Sequence, residues 1–212
     1  MKKLVTAGIV ASTLLLTNAS ADTKWYAGVE LGAGFNKTTQ ELDGGYVFTS
    51  TGTSKIKADN DFNDFRIIAG KGTGDDWYVQ MYLSSISYDN KHWFSKDEDA
   101  IEIGVEVMKQ FKAHEKVYPF LKFGLGIASM DTTDGVFSVN GNPYRLEDSS
   151  LLATSWTLGA GVDFKVTENI SILSGLDYNY KKWQDVEASG TNLTISTSDS
   201  STRFYVGANY RF

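Results

Sequence analysis

Cysteine is absent from this 212-residue chain, and proline occurs only twice. The first absence excludes disulfides, iron–sulfur clusters, thiolate zinc sites and a lipidated N-terminal cysteine. A surplus of positive charge is missing too: the formal charge is −6, which argues against a general nucleic-acid binder. Beyond the N-terminal segment, no apolar run reaches the roughly 18 residues that a membrane-spanning helix needs. Histidine is limited to His92 and His114. Against these scarcities stand 20 glycines and an aromatic share of 13%. The hydrophobic share of 42% excludes a disordered chain. A mean hydropathy of −0.25 looks like that of a soluble protein, but the order of the residues says otherwise.

Lys2 and Lys3 precede a charge-free apolar stretch from Leu4 to Thr17, and Ala19-Ser20-Ala21 fits a small-x-small cleavage site. This is the pattern of a secretory leader over residues 1–21, with one domain over 22–212. The processed chain then has 191 residues and a formal charge of −8.

Within that domain, apolar residues recur every second position through eight segments, the period of a β-strand with two unlike faces. Trp25 to Phe35 is the first; Trp77 to Tyr88 and Phe204 to Phe212 are others. Each segment is expected to form a strand of 11 to 14 residues, longer than the 5–6 or so usual in soluble proteins. Connections at 72–76, 112–116 and 165–169 are short, whereas 38–60, 89–99, 131–150 and 184–201 are long. An even number of long strands, with short turns at one end and long loops at the other, predicts an all-β fold. The specific form is an eight-stranded antiparallel up-and-down transmembrane β-barrel with periplasmic turns and extracellular loops. A soluble lipocalin-like barrel is the architectural rival.

The position of charge decides which face is inside. The polar faces carry Glu30, Asp64, Arg66, Glu102, Glu106, Lys122, Asp163, Asp177, Lys181, Arg203 and Arg211, together with eleven glycines. The apolar faces carry Lys37, Lys71, Lys109 and Lys182, all near strand ends, where a lysine reaches the interface. The apolar side therefore faces lipid and the polar side the lumen, where the charges are expected to form a continuous ion-pair network. A regular 112–116 turn would set Glu106 directly opposite Lys122. Aromatic girdles are expected from Trp25, Trp77, Phe111, Phe164, Tyr210 and Phe212 at the turn end. Phe35, Phe62, Tyr88, Tyr180 and Trp183 are expected to do the same at the loop end.

Three stretches carry a resemblance to the small eight-stranded outer-membrane barrels of Gram-negative bacteria, of the OmpA transmembrane-domain and OmpX type. They are YPFLKFGLGIASM (118–130), LGAGVDFKVTENISILSGLDYNY (158–180) and FYVGANYRF (204–212). The resemblance implies a cell outer membrane location and contact with outer-membrane lipid and lipopolysaccharide. It also implies a monomeric state and a C-terminal signal read by the barrel-assembly machinery: Phe204, Val206, Ala208, Tyr210 and Phe212. It implies neither cofactor nor nucleic-acid partner. It leaves three functions open: a non-catalytic structural or surface-interaction role through the acidic loops, a narrow porin-like or OmpW-like channel for small or hydrophobic solutes, and a lipid A-modifying enzyme. The loops hold 14 acids against five bases, which suits a solvated cap, divalent-cation binding or contact with a basic or surface partner. Lys96-Asp97-Glu98-Asp99 lacks the spacing of a calcium loop. His92 with Asp89 or Asp97 is the sole candidate for acid–base catalysis.

Overall fold

A computed structural model of the chain describes residues 25–43, 54–72, 76–89, 98–131, 136–139, 142–145, 150–187 and 194–212. The expected leader, His92 and Asp97 lie outside them. The strands are β1 (Trp25–Asp43), β2 (Ser54–Gly72), β3 (Trp77–Tyr88), β4 (Glu98–Gln110), β5 (Val117–Asp131), β6 (Val136–Val139), β7 (Asn142–Arg145), β8 (Ser150–Lys165), β9 (Ile170–Trp183), β10 (Val186–Glu187) and β11 (Thr194–Arg211). The eight long strands are antiparallel, each paired with the next in sequence, and β1 pairs with β11 to close the sheet into a barrel. Closure removes the unpaired edges that an open sheet would present. The seam runs from Tyr26↔Arg211 to Asp43↔Thr194 and is extended at its lower end by the Phe212 amide donating to the Trp25 carbonyl at 2.9 Å. β6 and β7, between β5 and β8 in the chain, pair in a separate two-stranded sheet.

Side-chain alternation sorts the two faces as the charge argument requires. Val29, Leu31, Ile103, Leu125 and Leu158 are exposed on the exterior, while Glu30, Glu106, Lys122 and Asp177 are buried inside. On β1 the apolar exterior runs eleven residues, from Trp25 to Phe35. At the usual rise and tilt that is about 25–28 Å, the thickness of a hydrocarbon core.

Three expectations need correction. First, the strands outrun the apolar pattern. β1 and β2 each have 19 residues and β11 has 18. Pairing continues through Thr38–Asp43, Ser54–Asp61 and Thr194–Ser201, where the outward side chains are polar and hydropathy no longer alternates. Backbone hydrogen bonding needs no apolar face, so the ladder rises past the point where the sequence signal stops.

Second, Glu106 pairs with Gly124, and Lys122 with Met108. The Phe111 amide donates to the Pro119 carbonyl at 2.8 Å and the Ala113 amide to the Val117 carbonyl at 3.1 Å, so the hairpin folds about Glu115 instead of His114. Moving the centre of a hairpin by one residue shifts its pairing by two. The two charges keep their face but meet diagonally. Gly124 leaves the space Glu106 occupies: a Cβ there would lie 2.7 Å from the Glu106 Cγ.

Third, Phe62, Tyr88 and Trp183 do not join a loop-end girdle. They point inward and are 6%, 4% and 3% exposed. Phe62 and Trp183 share parity with the lumen charges Asp64 and Lys181 on their own strands, and Tyr88 shares parity with the buried Gln80, Tyr82 and Ser84 on β3. With Ile86, Met130 and Leu151 they form an apolar ceiling across the loop end of the lumen. The turn-end set Trp25, Trp77, Phe111, Phe164, Tyr210 and Phe212 is exposed on the exterior, as expected. In bilayers with brominated acyl chains, a variant retaining only Trp156 should lose most of its emission, and one retaining only Trp183 little. Equal quenching would refute the inward placement of Trp183.

Candidate functional site

The lumen gathers chemistry that alternation distributes over all eight long strands. Glu30 and Arg66 face each other across β1 and β2. Arg203 on β11 reaches three acids: its Nη1 donates to Glu30 at 3.0 Å and Asp177 at 3.1 Å, and its Nε donates to Asp64 at 2.8 Å. Arg66 Nη1 donates to Glu106 at 3.0 Å and lies 4.0 Å from Glu30. Lys122 stands 3.0 Å from Asp177 and 3.5 Å from Glu106. Four acids and three bases thus interlock near mid-barrel. Two tyrosines support the cations: Arg66 lies 4.1 Å from the centre of the Tyr82 ring, and Lys122 and Arg203 lie 4.4 and 4.6 Å from that of Tyr205. These ring faces supply the cations with negative potential in a place largely without water.

Two further groups flank this centre. Towards the loops, Glu102 accepts from Tyr82 and Ser155 hydroxyls at 2.7 Å each and pairs with Lys181 at 2.8 Å. At the turns, Asp163 accepts from Arg211 at 2.5 Å and Gln110 at 2.8 Å. All eleven lumen charges read from the sequence are buried, each makes an ion pair, and among the described residues these pairs fall into three groups. Tyr82 joins the upper two, with its ring against Arg66 and its hydroxyl on Glu102.

One interior acid escapes the sequence reading. Asp199, read as a loop residue, is 6% exposed beneath the ceiling and accepts from Thr38 Oγ1 and from Trp183 Nε1, each at 2.6 Å. Its parity with Arg203 was the available signal. The Ser/Thr run around it gives no apolar contrast to reveal the strand. On the exterior, Lys55 pairs with Glu41 at 2.6 Å and holds that carboxyl below its ordinary range by hydrogen bonding and charge.

The interior leaves little room. A cavity of about 20 Å³ lies among Arg66, Glu102, Asp177, Lys181 and Arg203, and one of about 10 Å³ beneath Tyr88 and Trp183. Each has space for about one water molecule. Among the described residues, no group of three or more His, Asp or Glu side chains is arranged to hold a metal ion. His114 sits exposed in the β4–β5 turn.

A family model described as the outer membrane protein beta-barrel domain matches residues 5–212. The chain is 25% identical over 193 residues to the 25 kDa outer-membrane immunogenic protein of Brucella melitensis, covering 88% of this chain and 78% of that protein. The Brucella canis counterpart is 24% identical over the same span. Among solved structures, Neisserial surface protein A has a TM-score of 0.47 and 18% identity, over 86% of this chain and 97% of that one. Ail, the attachment invasion locus protein of Yersinia pestis, solved with a heparin analogue, has a TM-score of 0.40 and 19% identity, over 88% and 99%.

Proposed function

This chain belongs to the outer membrane protein beta-barrel domain family and resides in the outer membrane, and from that premise we propose a monomeric, non-catalytic scaffold with a closed lumen. Its work is done at the loop end, which faces outward and carries the strand extensions of β1, β2 and β11. The acidic loops there meet a surface or host partner of basic character. The periplasmic end carries the assembly signal, Phe204 to Phe212.

The observation that carries this reading is the filled lumen: paired charges at mid-barrel beneath an apolar ceiling. A barrel of eight strands has an interior just wide enough for side chains to fill. Any solute would have to separate ion pairs held in a water-poor interior, at several kcal/mol for each uncompensated charge. Non-catalysis is supported by the engagement of the interior carboxylates with structural partners.

Planar-bilayer recording tests the closed lumen. The purified protein should show no steady single-channel conductance. Sizeable steady openings would overturn the closed scaffold and favour the channel for small solutes. Mass analysis of lipid A from cells with and without the protein should show no difference; a missing acyl chain or phosphate would restore the enzyme reading.

A further inference from the structure

The exterior is not equivalent around the barrel at the height where its side chains change from apolar to polar on the loop side. On β8 and β9, Trp156 stands opposite Tyr180, with Tyr178 diagonal to it. The Trp156 ring centre lies 5.5 Å from that of Tyr178 and 6.1 Å from that of Tyr180, so the three make one aromatic ledge. The neighbouring strand continues the same rows with hydroxyls: Tyr178 faces Thr202, Tyr180 faces Ser200 and Lys182 faces Ser198. Beyond them, Ser200 faces Lys37 on β1. Lys37 and Lys182 are both exposed and flank this strip of hydroxyls from either side. Below it lies a lipid-facing surface of Leu158, Leu176 and Phe204.

The opposite flank differs at this height. There the outward positions of β3, β4 and β5 are Ser85, Ser87, Asp99, Ile101 and Ser129, with neither cation nor aromatic ring among the described residues. The ledge is therefore a local feature and not part of a uniform girdle.

We propose that this ledge binds a phosphorylated glycolipid of the outer leaflet. The proposal rests on the outer-membrane reading with the loop end outward. Acyl chains lie along Leu158, Leu176 and Phe204. Sugar rings pack on the aromatic faces and meet the serine hydroxyls, an amphipathic match that suits tryptophan and tyrosine at a membrane interface. Phosphates meet Lys37 and Lys182. The acids nearby are compatible with this. Lys182 lies 3.7 Å from Asp185, both about half exposed, and such a pair contributes little by itself. Asp59 faces Lys37 from β2, so a phosphate approaches Lys37 from the Ser200 side.

The test uses the refolded full-length barrel and its K37Q/K182Q variant, each first checked for faster migration on an unheated detergent gel. The probes are diphosphorylated lipid A, dephosphorylated lipid A and phosphatidylglycerol, with binding followed by native mass spectrometry. Diphosphorylated lipid A should bind the parent protein saturably. Dephosphorylated lipid A, phosphatidylglycerol and the double variant should each bind about ten-fold more weakly, the combined size of two exposed lysine–phosphate contacts. A variant at the turn end, K165Q, should bind like the parent. Equal binding of the dephosphorylated lipid or of phosphatidylglycerol would overturn the proposal, as would undiminished binding by K37Q/K182Q. Failure of the outer-membrane barrel reading has a separate signature, the lack of a gel shift in the parent protein.

Discussion

Replacing Arg203 with methionine should lower the stability of the folded barrel by about 3–5 kcal/mol. Arg203 is 3% exposed and is the one side chain that binds Glu30, Asp64 and Asp177 together. Methionine keeps much of the apolar stem and removes the charge. Three carboxylates are then left with Arg66 and Lys122 as their only close cations in the cluster. The cost is mainly that of burying unpaired charge and only partly that of the lost attraction. Urea titration of the protein refolded in micelles measures it. A second variant separates the two contributions: R203M combined with D64N should recover part of the loss, because one of the stranded charges is gone. Lys182→Met, at the exposed Asp185 pair, should change stability by less than about 0.5 kcal/mol. Equal midpoints for R203M and K182M would refute the structural importance of the central cluster.

Gly34→Ala should cost about 3 kcal/mol, and the reason lies in the backbone. A Cβ at Gly34 would lie 2.0 Å from the Thr202 carbonyl oxygen and 2.8 Å from the Phe62 ring. The ring can turn, but the carbonyl belongs to β11 and cannot move without opening the β1–β11 seam that closes the barrel. A strand alanine is otherwise favoured over glycine by its lower chain entropy, so a loss of this size isolates the steric term. Gly72→Ala is the comparison. Its Cβ would meet only the edge of the Tyr78 ring, at 3.1 Å, and should be close to neutral. The fraction of protein migrating as the compact unheated form after refolding reads the difference, and parity between the two variants would refute the collision.

The same contrast explains how much of this barrel was legible in its sequence. Which side chains face in or out follows from parity alone. Glu30, Glu106 and Arg203 were thereby assigned to the lumen, and Leu31 and Phe204 to the exterior. Parity also held the answer for Phe62, Tyr88 and Trp183, although their aromatic character pointed to a girdle. Asp199 was hidden for a different reason: its strand continues through a run of polar residues in which inside and outside look alike. The diagonal meeting of Glu106 with Lys122 depended on where a turn folds, and one residue decides that.

By itself, the sequence determined the number of long strands, the two unlike faces and the inside-out arrangement of charge. These follow from period-two alternation and from where charge is absent, both local properties of the chain. Only the tertiary structure decided which charges meet. Arg203 on β11 reaches Asp177 on one neighbouring strand, Glu30 on the other and Asp64 on the strand beyond, a set fixed by barrel radius and register. The apolar ceiling and the aromatic ledge have the same origin. Each is assembled from strands distant in sequence, brought to one height by the stagger of the hydrogen-bonded ladder, and no single segment carries the information for that height.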